Sequence, residues 1–184
     1  MTEDPLYNRS GPSGILNVMP QTEAITALTD YAAALVSAVF AASMYGRIGP
    51  GNRVSAWFWC AAFLGAAAAA IAGGTFHGFR TYLRPTTLDG LWNITLFLAG
   101  GATAFVAAAI HSAHVRREDH TVGWLAGSIA VTFAGLTVQQ SDFPRGLFFN
   151  HNDAYHVIQI VALYLLFRCA RTTHDRGSLA IIGT

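Results

Sequence analysis

The chain has 184 residues, of which 53% are hydrophobic and only 11% charged. A soluble domain carries about 25% charged residues, so an ordinary water-soluble globule is excluded and an integral membrane protein is expected. Arginine supplies all 11 basic side chains against 10 acidic ones, lysine is absent, and a net charge of +1 with no basic run leaves no footprint for nucleic acid.

Residues 1–21 are polar and punctuated by Pro5, Pro12 and Pro20. They lack a basic stretch followed by an apolar core, so no signal peptide is read there, and a flexible N-terminal tail is expected. Five apolar segments follow, each near the roughly 20 residues that cross a bilayer: Ala24–Tyr45, Val54–His77, Leu88–His111, Thr121–Gln140 and Ala154–Arg171. Turn and break chemistry separates them at Gly46–Gly51, Arg84–Thr87, the charged run Arg116–His120, and Phe143–Gly146. The expected fold is all-α, an integral membrane bundle of about five transmembrane helices over residues 22–172, with a C-terminal tail over 173–184 and no internal repeat.

Arginine placement suggests an orientation. The first and third loops and the tail hold Arg47, Arg53, Arg116, Arg117, Arg168, Arg171 and Arg176, while the other side holds Arg9, Arg80, Arg84 and Arg145. The positive-inside rule then puts the N-terminus outside and the C-terminus in the cytoplasm, at the cell membrane. Cys60 and Cys169 fall toward the inner side, where thiols stay reduced, and no disulfide is expected. Trp57, Trp59, Trp92, Trp124 and Tyr45 lie near span ends, as an aromatic belt would. Gly65, Ala69 and Gly73 recur every four residues in a row that ends at His77, so a close-packing ridge aims this histidine at a neighbouring helix.

The polar residues gather at one side. Glu23 and Asp30 open the first span, Thr75 and His77 end the second, Asp89 and Asn93 open the third, Gln139, Gln140 and Asp142 end the fourth, and His151, Asp153, His156 and Gln159 open the fifth. All five groups fall at the expected outer face. Lipid solvates such groups poorly, so they need partners or a function. At the mouth of the fifth span, Asn150 or Asn152 suits a helix N-cap, and Asp153 suits the positive end of the helix dipole. His156 and Gln159 lie deeper, on the side of Asp153.

Histidines and carboxylates at one level of a bundle suit a metal. Zinc takes neutral imidazoles and carboxylates and leaves one position for water. His77, His151 and His156 are the candidate ligands, with Asp153 the alternative to His151 because it shares a face with His156 at i, i+3. Asp89 is the candidate general base or the partner that orients a histidine. Asp30, Thr75, Asn93 and Gln159 are supporting groups. Plainer roles stand beside these: an interfacial anchor for His77, a helix-start acid for Asp89, an interhelical hydrogen bond for Asp30, a solvated loop for Asp142. His111 and His114 suit the headgroup level, and His120 and His174 suit a loop and a tail.

The order of His77 at the end of one span, Asp89 at the start of the next and a histidine pair at the start of the last resembles the CREST superfamily of membrane hydrolases, which includes alkaline ceramidases and adiponectin-receptor-like proteins. Asn152-Asp153-Ala154-Tyr155-His156 is similar to that family's final His-x-x-x-His segment, with Asn152 at the first histidine position and His151 one residue away. Gly73 stands where the family has a serine, and the family core has more spans than the five counted here. The resemblance implies a zinc-dependent hydrolase acting on an amide or ester in a lipid, with membrane lipid as solvent and substrate. Two other expectations follow from the residues alone: a b-type cytochrome with haem between His77 and His156, and a non-enzymatic binding or assembly protein whose polar cluster fastens the helices. The oligomeric state is not legible.

Overall fold

The computed structural model describes residues 21–114, 120–141, 143–144 and 149–175. The N-terminal tail expected over 1–20, Asp142, Arg116, Arg117, Arg145, Arg176 and the side chain of His114 lie outside the described residues.

Five α-helices carry the fold: α1 (Gln21–Tyr45), α2 (Arg53–Gly78), α3 (Pro85–Ser112), α4 (Thr121–Gln140) and α5 (His151–Arg171). Two short strands, β1 (Ala113–His114) and β2 (His174–Asp175), pair antiparallel, with Ala113 opposite Asp175 and His114 opposite His174. At about 1.5 Å per residue, even α4, with 20 residues, matches the hydrocarbon thickness of a bilayer. All five helices are long and apolar enough to cross one. The chain is a multi-pass membrane protein and an all-α helical bundle.

Helix packing follows the order α3, α2, α1, α5, α4 across the bundle. The α1–α2, α2–α3 and α4–α5 pairs are extensive, and the α1–α5 seam is much lighter. Apolar side chains gain little by leaving lipid for one another, so close approach depends on small residues. The ridge on α2 supplies it, divided between two neighbours. A side-chain carbon on Gly65 would come within 3.2 Å of Ala102 on α3, and one on Gly74 within 3.1 Å of the Tyr31 ring on α1.

The end of the bundle formed by the start of α2 and the end of α5 is tied by aromatic packing and a clasp. Phe40 stacks on Phe167 with centroids 4.3 Å apart, and Phe63, Met44, Trp59, Cys60, Ala109 and Cys169 complete this core. Trp59 is fully buried rather than at a lipid–water boundary, because its indole N–H reaches Thr173 Oγ1 at 3.1 Å inside the bundle. The stretch read as a tail from Thr173 begins with β2, and Asp175 there caps α2. Its carboxylate accepts the N–H groups of Val54 (2.8 Å) and Ser55 (2.9 Å) and the Ser55 hydroxyl (2.6 Å). Its own N–H donates to the Gly51 carbonyl at 2.8 Å. Asn52, the residue at the N-cap position of α2, makes no side-chain cap bond, so the cap comes from 120 positions away. Partial burial pushes the Asp175 carboxyl up, but the Ser55 and Val54 hydrogen bonds and nearby His174 outweigh it and hold it below the usual aspartate value of 3.8.

A candidate acid–base site between α1, α2 and α5

The opposite end gathers the titratable side chains, and α1 is its hub. Glu23, Thr26, Thr29 and Asp30 are spaced three, three and one apart, which puts them on neighbouring lines of one helix surface. Glu23 faces α2, and Thr26, Thr29 and Asp30 face α5.

On α5, Asn150 is the N-cap. Its side chain accepts the N–H groups of Asn152 (2.8 Å) and Asp153 (3.2 Å), and Asp153 Oδ2 accepts the N–H of Asn150 at 2.8 Å. This is a capping box with an aspartate at its third position. The other oxygen of Asp153 accepts the Thr26 hydroxyl at 2.6 Å. Asp153 is wholly buried, and both its oxygens are engaged.

His156 lies one turn further in, also buried. Its Nδ1 is 3.1 Å from Thr29 Oγ1 and its Nε2 is 3.3 Å from Asp30 Oδ1. Thr29 donates its single hydroxyl hydrogen to the Thr26 carbonyl at 2.9 Å. With its hydrogen there it accepts from Nδ1–H of His156, which in the neutral ring leaves a lone pair on Nε2 facing the Asp30 carboxylate; in the other tautomer Nε2–H donates to Asp30. Two acceptors at 3.3 Å hold each other only if one hydrogen lies between them. The second oxygen of Asp30 is buried with no hydrogen-bond partner, a state shared among the described residues only with the Ser37 hydroxyl two turns along the same helix. This oxygen packs against Gly73, where a side-chain carbon would sit 3.4 Å away.

His77, at the end of α2, is held by Glu23: Nδ1 lies 2.8 Å from Oε2, while Oε1 accepts Arg80 at 3.1 Å. His77 stands within electrostatic reach of His156, as Asp153 and Tyr155 do of Asp30. The site is thus Asp30 and His156 at its centre, Thr29 and Asp153 on one side, and Glu23 and His77 on the other.

The remaining sequence candidates fall elsewhere. Asp89 and Asn93 are exposed on α3, which packs on α2 alone among the extensive contacts; the carboxylate that partners His77 is Glu23. Thr75 bonds Tyr31 across α1 and α2 at 3.2 Å. His151 is the first residue of α5 and partly exposed. Gln159 lines a cavity of about 110 Å³ between α4 and α5, together with Ser128, Thr132, Gly135 and Tyr155. Thr26 and Thr29 carry the site's geometry without any signal in the sequence. A threonine in an apolar helix is common, and only the position of its partner gives it a role.

As a zinc centre the set does not fit as arranged. Asp153 accepts a hydrogen bond at each oxygen, and His156 is engaged at both ring nitrogens. Among the described residues no three His, Cys, Asp or Glu side chains converge to hold a metal ion.

No curated protein and no solved structure matches the chain. One family model does, over residues 25–118 and 102–175, which together run across both sides of the site and every helix. The chain belongs to DUF6962, a family of unknown function.

Proposed function

We propose that the protein is a membrane enzyme whose Asp30–His156 pair holds one proton and uses it for acid–base chemistry on a lipid amide or ester. The observation that carries this is the 3.3 Å approach of His156 Nε2 to Asp30 Oδ1, which needs one hydrogen between them. The proton sits on either partner with the same total charge, so moving it costs little solvation in a medium that solvates charge poorly. With the proton on Asp30, Nε2 is a base for an attacking water; with it on His156, the pair is an acid for the leaving amine or alkoxide. Thr29 fixes the ring, which keeps Nε2 aimed at the exchange partner. The amide or ester in a lipid comes from the resemblance to the CREST superfamily, and the arginine distribution supports a site facing the outer side.

The test is infrared spectroscopy of the reconstituted protein beside hydrolysis of labelled lipid amides and esters. A protonated-carboxyl band that is lost in Asp30→Asn, with turnover lost in both Asp30→Asn and His156→Ala, is the expected result. Folded wild type with neither band nor turnover would sink the reading. Elemental analysis runs in parallel: zinc at one per chain in wild type and none in His156→Ala would put a metal in place of the proton.

A second reading has its own support. Thr26–Asp153, Thr29–His156 and Glu23–His77 all join different helices, as a purely fastening cluster in a binding or assembly protein would. It predicts that loss of stability is the sole effect of mutating Asp30.

A further inference from the structure

Glu23 is the one carboxylate of this cluster that the acid–base reading leaves without a role. It sits in the first turn of α1 and bridges His77, near the end of α2, and Arg80, just beyond it. Each of its oxygens receives one partner: Oε2 meets His77 Nδ1 at 2.8 Å, and Oε1 meets the Arg80 guanidinium at 3.1 Å. Arg80 is a donor under all conditions, so it fixes the plane of the carboxylate and leaves Oε2 as an acceptor toward the ring.

That settles which nitrogen of His77 carries hydrogen. A short contact between an acceptor oxygen and Nδ1 requires Nδ1–H. In the neutral ring Nε2 then holds a free lone pair. The same arrangement, a carboxylate on one ring nitrogen, makes the other nitrogen more basic and fixes its direction in metal centres and in acid–base sites. The His77 side chain is only 17% exposed, and its ring meets Phe76 edge-on at 5.2 Å. Glu23 and Asp30, two turns apart on α1, hold His77 and His156 respectively, so both rings lie along one stretch of α1.

We infer that Glu23 is a positioning residue: it locks His77 as the Nδ1–H tautomer and presents Nε2 as a second proton acceptor beside the Asp30–His156 pair. This rests on the acid–base reading of that pair. The groups facing His77 and its neighbours are Glu23 and Asp30 from α1, Arg80 just beyond α2, and Asp153 and His156 from α5. A proton leaving the pair then has a second, largely buried imidazole on α2 as its acceptor. Three helices then contribute to one exchange: α1 the carboxylates, α2 and α5 one imidazole each.

The test is nitrogen NMR of the full chain in lipid nanodiscs, labelled at histidine, with the His77 signals assigned by their loss in His77→Gln. Wild type is expected to show His77 as one tautomer with hydrogen on Nδ1. Glu23→Gln, whose amide can donate as well as accept, is expected to mix the tautomers; Glu23→Asp is expected to restore a single one. A wild-type His77 with hydrogen on Nε2, or a Glu23→Gln spectrum identical to wild type, would overturn the assignment. Arg80→Gln gives a second route if Glu23 variants misfold: a broadened His77 Nδ1–H signal supports the bridge, and an unchanged one overturns it. The two ideas fail separately. A missing Asp30 carboxyl band with His77 still locked would end the acid–base reading and leave Glu23 as the partner that sets the His77 tautomer.

Discussion

At the clasp end, Asp175 gives both carboxylate oxygens to N–H and O–H donors at the start of α2, and Trp59 gives its N–H to Thr173. At the other end, Asp153 behaves the same way toward Thr26 and Asn150. Asp30 does not: it keeps one buried oxygen without a partner and turns the other to a ring nitrogen. All three are aspartates, so residue type does not separate them. What separates them is the supply of donors. Asp175 and Asp153 face the unpaired N–H groups of a helix N-terminus, where a carboxylate is welcome. Asp30 lies in the body of α1, where every backbone N–H is already used. An acid that meets N–H groups becomes a fastening; one that meets only another acceptor must carry or borrow a proton.

Substitutions test this division most sharply where the expected effect is largest. Asp153→Ala removes the capping box and the bond to Thr26 together and is expected to cost about 3 kcal/mol, read from unfolding in mixed detergent micelles. A loss below about 1 kcal/mol would place Asp153 with Asp30 and erase the contrast. Asp30→Asn keeps the shape, removes the proton-carrying group, and is expected to change stability by less than about 1 kcal/mol while abolishing turnover. A cost as large as that of Asp153→Ala would make Asp30 another fastening. Asp175→Asn is expected to cost about 1 kcal/mol through the lost cap. Because its folded-state carboxyl lies below the usual 3.8, its contribution is full above that value and fades only as pH falls through the lower folded one. The difference between wild type and Asp175→Asn should therefore stay constant from neutral pH to just above 3.8 and shrink below it, and a difference that does not shrink in acid would contradict the clasp. Two glycines set a tight helix contact against an open one. Gly74→Ala meets Tyr31 at 3.1 Å and should cost about 1–2 kcal/mol by overpacking. Gly101→Ala meets nothing within 4 Å and should be neutral or gain up to about 1 kcal/mol; equal effects would deny that α1 and α2 are the tighter pair.

The spans were legible because lipid imposes length and apolarity directly on sequence, and all five helices begin and end within three residues of the hydropathy reading. The packing ridge on α2 was legible too, as was the aim of its last member, His77, at a neighbour. The hub role of α1 was not. Glu23 and Asp30 stood out as intramembrane acids, but Thr26 and Thr29 look like any hydroxyl residue that can satisfy itself within its own helix. Asp153 read equally well as a helix-start acid and as a ligand. The choice falls to the former through Asn150 and Thr26, one of them 127 positions away. Trp59 misled for a related reason: nearness to a span end does not say whether a side chain faces lipid or a returning strand.

The light seam between α1 and α5 has a consequence for how the protein comes into being. The Thr26–Asp153 and Thr29–His156 bonds each span 127 positions, and α5 leaves the ribosome after the four helices before it. In a membrane, helices insert first and associate afterwards. Asp30 therefore enters the bilayer well before its histidine exists, with Gly73 and Gly74 of α2 its first neighbours. Every partial insertion product is without the pair. The Asp30–His156 pair is complete only once α5 docks, so on the acid–base reading assembly and activation are one event.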